Sequence, residues 1–272
     1  MTIINIVKGK RILLLTGASL HNLNTLFLFI KDKELNVVGA CIADKKTQGI
    51  DFSYLKIAIK KEGVFKVFFQ IVQRVIYKLV NSKKDKKIKL ELYDEPLIRD
   101  SINSWNQPIH YTENYHKKET FDWIKSQNPD IIVVHTPYWV GKKIRTIVNG
   151  NIIGGHPGIV PSYRGIHSSF WAIYNKAPEK VGYSVFWLDS GVDTGDLISQ
   201  GIINIEEGDS YITLGWKGMI EIAKQQIRVL KKVNRGIELP RTKHIEIPEN
   251  SYYSHPTIFN YIKYRFSGNK VR

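Results

Sequence analysis

Two short segments of this chain combine residue types that suit acid–base chemistry better than packing. The first, residues 154–167, reads Gly-Gly-His-Pro-Gly-Ile-Val-Pro-Ser-Tyr-Arg-Gly-Ile-His and holds His156 between glycine and proline. The second, residues 188–196, reads Leu-Asp-Ser-Gly-Val-Asp-Thr-Gly-Asp. Both place Gly, Pro and charge where a core would place Val and Leu. This pattern predicts a histidine base on a rigid turn and an acidic loop that supplies its carboxylate partner.

Asp193 is the carboxylate that we expect to pair with the histidine. Val192 and the following Thr-Gly confine it, whereas Asp189 and Asp196 are typical of solvated acids in a turn. An isolated histidine is more often structural than catalytic. Here the flanking glycines and prolines, together with the acidic loop, favour a catalytic role in which the carboxylate orients the imidazole ring.

The elements around these segments predict an α/β fold with a doubly wound, mostly parallel sheet. Apolar runs of strand length alternate with segments of helical periodicity, and the chain opens with a βαβ unit. The predicted strands are residues 11–17, 36–44, 130–135, 182–188 and 201–205. The predicted helices are residues 22–33, 119–127 and 213–233, the last of which precedes a less regular tail.

A basic segment of about residues 55–90 interrupts this α/β pattern. Its apolar residues recur at helical spacing from about residue 55 to residue 80, and Gly63 is expected to divide this part into two helices. Between residues 56 and 89, eleven basic residues face two acidic ones, which accounts for nine of the fifteen excess positive charges. Three interpretations stay open: a solvated helical face, a surface for anionic lipid because Phe65, Phe68 and Phe69 accompany the lysines, and thirdly a nucleic-acid surface.

Length and composition favour one catalytic domain, residues 1–235, followed by a tail or small extension, residues 236–272. The single cysteine, Cys41, excludes an intrachain disulfide and lies in an apolar run. No stretch is apolar for long enough to span a membrane, and lysine and arginine interrupt the N-terminal region where a leader would be apolar. We therefore expect a cytoplasmic protein, with any membrane association arising through the basic insert.

The two glycine-rich segments together resemble the signature of the folate-dependent formyltransferases. This family contains phosphoribosylglycinamide formyltransferase, methionyl-tRNA formyltransferase and the sugar N-formyltransferases. Its signature reads Asn-x-His-Pro-(Ser/Gly)-Leu-Leu-Pro-x-Tyr-(Arg/Pro)-Gly and, after a strand, Asp-x-Gly-x-Asp-x-Gly. The matching positions are His156, Pro157, Pro161, Tyr163, Gly165, Asp189, Gly191, Asp193 and Gly195. The resemblance is close over residues 131–203 and looser over the N-terminal βαβ unit.

The resemblance implies transfer of a formyl group from 10-formyltetrahydrofolate to an amine, through a tetrahedral intermediate and without a metal. It implies that His156 is the catalytic histidine, and that Asp193 positions it or takes the proton of the attacking amine. It also implies that the pteridine end of the folate lies against a set of strand-end and loop residues. These are His135, Tyr138, Val140, Leu188, Asp189 and Gly191. Candidates for binding acceptor phosphates, in the turn after the first strand, are Gly17, Ser19 and Asn22.

Gly154 departs from the signature, which has asparagine at this position. In the family that asparagine donates a hydrogen bond to the formyl oxygen, and removing one such donor costs about 3–4 kcal/mol. The backbone N–H groups of Gly154 and Gly155, or a side chain such as that of His167 or Asn151, are candidate replacements. A satisfied surface histidine is the alternative interpretation of His167.

The expected function is N-formyl transfer to a small-molecule amine, an amino sugar carried by a nucleotide or a lipid, with no nucleic-acid partner. The chain has no room for the large second domain that a tRNA acceptor requires. Its tail, Tyr252 to Thr257, resembles the ending of formyltransferase-like proteins of surface-polysaccharide synthesis. Two alternatives remain: a hydrolase that releases formate from the same folate, and a non-catalytic folate- or sugar-binding protein. The oligomeric state is not indicated.

Overall fold

The fold is built on a seven-stranded sheet in a computed structural model that describes residues 9–44 and 52–266. The strand order is β3-β2-β1-β4-β5-β7-β8, and β6 and β9 form a separate small ladder. The strands are β1 Arg11–Gly17, β2 Asn36–Ala43, β3 Ile109–Thr112, β4 Ile131–His135, β5 Ile152–His156, β6 Arg164–Gly165, β7 Gly182–Trp187, β8 Leu197–Ile202 and β9 Tyr252–Tyr253.

Helices cover both faces of the sheet. They are α1 Leu20–Lys31, α2 Phe52–Glu62, α3 Val64–Leu92, α4 Glu95–Asn103, α5 Lys118–Ser126, α6 Lys142–Ile147, α7 Ser168–Tyr174, α8 Tyr211–Asn234 and α9 Ile258–Phe266. The cluster on the α1 and α8 face contains Leu14, Val133 and Ile222, and the cluster on the other face contains Leu15 and Val134. No described helix is both long and apolar enough to cross a membrane.

The sheet confirms the prediction of a doubly wound, mostly parallel architecture. The β1–β2, β1–β4, β2–β3 and β4–β5 pairs are parallel, whereas β5–β7 and β7–β8 are antiparallel. Strand β1 is buried almost throughout because helices cover it on both sides, which explains its nearly continuous apolar sequence. The order reverses between β2 and β4, on either side of β1, as in other doubly wound sheets.

Two local predictions are corrected by the structure. The strand predicted at 201–205 lies at Leu197–Ile202, because it is an edge strand whose alternate residues are exposed, and its sequence carries only a weak apolar signal. The rigid turn expected around His156 is instead the end of strand β5. Position 155 of this strand has no room for a side chain, because Ile222 of α8 packs where a Cβ would lie. Glycine fits there.

The basic insert forms two helices, α2 and α3, divided at Gly63 as predicted. Gly63 has a φ of 86°, a left-handed conformation that glycine adopts without strain. The second helix continues to Leu92, two residues beyond the expected end of the basic insert. The tail folds back on the domain: β9 pairs with β6, and α9 packs against α3. The ends of the two expected domains, residues 1–8 and 267–272, lie outside the described residues.

Candidate active site

His156 ends strand β5, and its side chain is almost completely buried, with 6% of the residue exposed. Its Nε2 atom lies 2.9 Å from the carbonyl oxygen of Tyr163 and 2.8 Å from Ser168 Oγ. A carbonyl oxygen only accepts hydrogen bonds, so Nε2 carries a hydrogen. The remaining ring nitrogen, Nδ1, is therefore the atom available for proton exchange.

Asp193 stands opposite that nitrogen, with Oδ2 at 3.4 Å from Nδ1 of His156. The same oxygen accepts a hydrogen bond of 3.0 Å from the backbone N–H of Gly165 in β6. Asp193 has a φ of 55°, a left-handed conformation that aspartate tolerates better than most residues. The structure thus brings together the two residues that the sequence predicts as the catalytic pair, with the carboxylate fixed by a backbone donor.

The loop that carries this carboxylate is held by its own side chains. Asp189 accepts hydrogen bonds from the Gly191 N–H at 2.9 Å and from the Thr194 hydroxyl at 2.8 Å, the geometry of a turn-forming acid. A Cβ at Gly195 would overlap the carbonyl oxygen of Trp187. The loop therefore closes tightly on β7 and leaves Asp193 directed towards the histidine.

A cavity of about 250 Å³ lies beside the pair, where β4, β5 and β7 end. It is lined by backbone and mostly apolar side chains, and Asp193 is on its wall. The other candidate site residues predicted from the sequence that line it are Tyr138, Val140, Gly154, Gly155, Leu188, Asp189 and Gly191. Five of the six expected folate-contacting residues therefore line one cavity next to His156 and Asp193.

His135 is the expected folate-contacting residue that lies outside this lining. It is only 3% exposed, and its Nδ1 atom lies 3.5 Å from Gln226 Oε1 of α8. Side chains alternate along a strand, so β4 directs Val134 to the cavity and His135 to the opposite face of the sheet. Burial lowers the pKa of His135 to about 3, which keeps this imidazole neutral.

Gly154 and Gly155 direct their missing side chains to opposite faces. A Cβ at Gly154 would lie 3.1 Å from Leu188 Cδ1 and 3.2 Å from Phe186 Cε2. Leu188 and Phe186 therefore occupy the space around the position where the family signature has asparagine. Phe186 is paired directly with Gly154 across the β5–β7 ladder, which explains how an aromatic ring covers the glycine.

The backbone N–H of Gly155 points to the cavity side of β5. The Leu188 N–H donates to Ile152 O at 2.8 Å, so every second residue from Ile152 directs its backbone polar groups to β7. Gly155 lies between two residues of this series, so its own N–H is directed to the opposite neighbour, β4. The β4–β5 register ends at Ile153, so this N–H lies where the two strands diverge.

The loop expected to bind acceptor phosphates is only partly open. Ser19 is exposed, and its hydroxyl lies 3.0 Å from His21 Nε2 without capping helix α1. Asn22 is 1% exposed, and its amide covers Gly17. Of the three candidates, Ser19 is the one whose side chain a ligand reaches without a rearrangement of the loop.

His167 belongs to a histidine pair instead of standing alone at the surface. Its Nε2 atom lies 3.1 Å from Nδ1 of His255, a tail residue, and its ring contacts Tyr211 edge-on. Burial lowers the pKa of His167 to about 3, with His255 and then Arg74 as smaller causes. Burial and the Arg74 cation also lower the pKa of His255 to about 4. The pair is therefore neutral and joins the tail to the domain.

This pair predicts a loss of stability in acid. In the unfolded chain both histidine side chains titrate near pH 6.5. The stabilisation that the neutral pair gives to the folded state is therefore complete above that pH and is lost as the pH falls towards 4. The free energy of unfolding in urea should fall by up to about 2 kcal/mol for each histidine between about pH 7.5 and pH 5. A His167→Gln/His255→Gln variant should show a shallower pH dependence. An unchanged slope in that variant would contradict this assignment.

The site also contains residues that the sequence analysis did not single out for the roles they take. The Tyr163 carbonyl and Ser168 fix the histidine tautomer, Phe186 covers Gly154, and Gln226 holds His135. Tyr163 and Ser168 lie within 12 residues of His156, inside or next to the first segment. Phe186 carries no polar signal, and its role depends on strand pairing that a single sequence does not reveal.

The family comparison matches the Formyl transferase model to residues 10–221, which include both glycine-rich segments. The chain belongs to the formyl transferase family. Methionyl-tRNA formyltransferase from Clostridioides difficile (strain 630) is 32% identical over 159 residues, 57% of this chain and 48% of that protein. GDP-perosamine N-formyltransferase from Brucella melitensis biotype 1 is 27% identical over 138 residues, 50% of this chain and 51% of that protein.

The solved structures show that the fold is shared. Phosphoribosylglycinamide formyltransferase from Bacillus halodurans superposes with a TM-score of 0.53 at 18% identity, over 82% of this chain and 95% of that one. The chain spans about half the length of the two curated relatives described above. The comparisons therefore establish the family and the fold of this chain.

Proposed function

We propose that this chain catalyses N-formyl transfer in the cytoplasm from 10-formyltetrahydrofolate to the amine of an amino sugar. The observation that carries the proposal is the 3.4 Å approach of Asp193 Oδ2 to His156 Nδ1 on the edge of an apolar cavity. Membership of the formyl transferase family supports the reaction type. The catalytic domain is proposed to be residues 1–235.

The proposed roles follow from the available proton positions. Transfer forms a bond between the amine nitrogen and the formyl carbon and breaks the bond from that carbon to the folate nitrogen. One proton moves from the amine to the folate nitrogen, so the products are the formylated amine and tetrahydrofolate. Asp193 and Nδ1 of His156 are placed to carry that proton, because Nε2 is occupied by the Tyr163 carbonyl.

The cavity suits the flat ring end of a folate. Its volume of about 250 Å³ is below the roughly 300–1,000 Å³ of pockets that enclose whole ligands, so the remainder of the donor would project to solvent. The apolar part of the cavity wall is formed by the side chains of Tyr138, Val140 and Leu188. The neighbouring loops contribute backbone N–H and C=O groups. The donor, when bound, supplies the formyl group.

We assign the donor that replaces the family asparagine to the backbone N–H of Gly155. This N–H points to the side of β5 where β4 diverges, and Gly155 lines the cavity. A fixed backbone donor suits the charge that develops on the formyl oxygen, since it needs no reorganisation during the reaction. Of the other candidates, Gly154 directs its N–H to β7, and His167 is engaged with His255. Asn151 is exposed just before β5.

The Gly154→Asn variant should lower kcat/KM instead of raising it. The new Cβ would crowd Leu188 and Phe186, which line the cavity, and the amide group beyond it would add to this crowding. Overpacking of this kind costs about 1–3 kcal/mol. If this cost adds to the activation free energy of formyl transfer, kcat/KM falls roughly tenfold. Gly154→Ala is the matched control and should have a smaller effect. A higher kcat in the asparagine variant would show that Gly155 does not replace the missing amide.

An amino sugar is the proposed acceptor because one relative is named a GDP-perosamine N-formyltransferase. Another relative is named a methionyl-tRNA formyltransferase, so the acceptor requires a direct test. Nucleotide-linked amino sugars and methionyl-tRNA should be compared at equal concentration with formyl-labelled donor. Label on an amino sugar supports the proposal, whereas label on methionyl-tRNA alone would overturn the choice of acceptor.

A further inference from the structure

Helix α3 exposes a long apolar stripe to solvent. Phe65, Phe68, Val75 and Leu79 lie on one side of the helix, because their spacing of three, seven and four residues corresponds to whole turns. Phe65 is 81% exposed and Leu79 is 78% exposed. The stripe is about 20 Å long at 1.5 Å per residue. Nine of the twenty-two large apolar side chains that are exposed in the described residues lie on this helix.

The opposite side of α3 is the side that packs on the domain. Its buried residues are Val67, Gln70, Gln73, Tyr77 and Asp85. Several of them make specific contacts: Gln73 donates to the Tyr211 hydroxyl at 3.0 Å, and Tyr77 donates to Asp85 at 2.7 Å. The helix therefore holds to the domain through a partly polar face and turns its more apolar face outwards.

Helix α9 extends the same exposed surface. The Phe259 ring packs edge-on against Phe69 of α3, with the ring centroids 4.7 Å apart. Phe259, Ile262 and Phe266 are themselves exposed. We call the combined surface the α3–α9 face. It is formed by Phe65, Phe68, Val75, Leu79, Phe259, Ile262 and Phe266.

The C-terminal half of α3 places positive charge on the same stripe. Lys83 and Lys86 continue the helical spacing beyond Leu79, and Lys87 flanks them. None of these three lysines forms an ion pair with a carboxylate in the described ranges 9–44 and 52–266.

Helices α2 and α3 hold three acids, and none of them forms an ion pair with these lysines in the described residues. Glu91 is exposed and lies four residues after Lys87. Glu62 pairs with Lys66 at 2.9 Å, and Asp85 is buried with the Ser210 and Tyr77 hydroxyls. The α3–α9 face thus combines exposed aromatic side chains with lysines that form no ion pair in the described residues.

We propose that the α3–α9 face docks the protein on the surface of an anionic lipid membrane. A helix with one apolar side and adjacent lysines lies in the membrane interface, with its apolar side chains among the acyl chains and its cations at the headgroups. A second copy of this chain fits the face poorly, because the same positive charges would oppose each other. A nucleic acid offers phosphates to the lysines and bases to the phenylalanines, but it offers no partner to the aliphatic side chains Val75, Leu79 and Ile262. Since the proposed reaction allows a lipid-carried amino sugar, docking would also bring the chain to such an acceptor.

Sedimentation with vesicles tests this proposal without any substrate. The wild-type chain should bind vesicles of phosphatidylcholine and phosphatidylglycerol in equal parts, and should bind pure phosphatidylcholine at least about tenfold more weakly. Phe65→Ser/Phe68→Ser should lower the partition coefficient at least about tenfold. Replacing Lys83, Lys86 and Lys87 with glutamine should lower it about fivefold for each lysine, and added salt should reduce wild-type binding.

Tyr111→Ser is the matched control, because this exposed tyrosine lies on β3 at the far edge of the sheet, and it should bind like the wild type. The replaced side chains are exposed, so the variants should keep the wild-type melting temperature and turnover. Failure of the wild-type chain to bind anionic vesicles overturns the proposal. So does a phenylalanine variant that binds normally, or one that instead dissociates an oligomer in light scattering. Lipid binding by a chain without transferase activity would leave docking intact and reject only the proposed function.

Discussion

Replacing His156 with alanine is expected to abolish formyl transfer. The variant removes the imidazole whose Nδ1 faces Asp193 and whose Nε2 is held by the Tyr163 carbonyl. General acid–base catalysis contributes about 10²–10⁴-fold, so kcat should fall by at least this factor. The measurement is steady-state release of tetrahydrofolate in the presence of an amine acceptor. Donor binding, followed by fluorescence, should change little because the ring is not part of the cavity lining.

A control for this variant separates the chemical role from packing. Ser168→Ala removes one contact of Nε2 but leaves the Tyr163 carbonyl and Asp193 in place. Its kcat should fall less than that of the alanine variant at His156, and its fold should be preserved in circular dichroism. If His156→Ala and Ser168→Ala lose activity equally, His156 acts by packing in the site and does not carry the proton of the amine.

Asp193→Asn is expected to have the second largest effect. Asparagine keeps the size of the side chain and its oxygen can still accept the Gly165 N–H, and it tolerates the φ of 55° at this position. The fold should therefore be unchanged. The variant loses only the negative charge beside Nδ1 of His156, and kcat should fall by about 10²–10⁴-fold while the KM for the donor changes little.

Asp189→Asn is the matched comparison in the same loop. Asp189 also lines the cavity, but its carboxylate closes the turn through the Gly191 N–H and the Thr194 hydroxyl. An asparagine oxygen can accept one of these bonds, so kcat should fall less than tenfold. Equal losses in the two variants would mean that loop shape, and not the charge at Asp193, controls turnover.

The main parts of the fold and the pairing of His156 with Asp193 were accessible from sequence. Strand β1 is recognisable because a strand buried on both faces is continuously apolar. The helix break at Gly63 is recognisable because glycine weakens a helix interior locally. The His156–Asp193 pair is recognisable because both residues stand in Gly-rich segments that do not resemble core. These signals are all local in the chain.

Features that depend on long-range contacts were not accessible. The cover of Gly154 by Phe186 requires knowledge of the β5–β7 register. The His167–His255 contact joins residues 88 positions apart. The placement of His156 at a strand end depends on its pairing with Ser184 of β7, which a single sequence does not show. In each case the surroundings of the residue are set by an element distant in the chain. The sequence next to the residue does not indicate which element that is.

Transfer of a labelled formyl group tests directly whether this chain is an N-formyltransferase. Purified chain is incubated with formyl-labelled 10-formyltetrahydrofolate, with and without a nucleotide-linked amino sugar, and both tetrahydrofolate and labelled products are followed. The predicted result is label on the amine nitrogen, release of tetrahydrofolate only when the amine is present, and loss of both in the His156→Ala variant. Release of tetrahydrofolate and labelled formate without an amine would contradict the proposed transferase activity. Undiminished transfer by the His156→Ala variant would contradict the proposed role of His156.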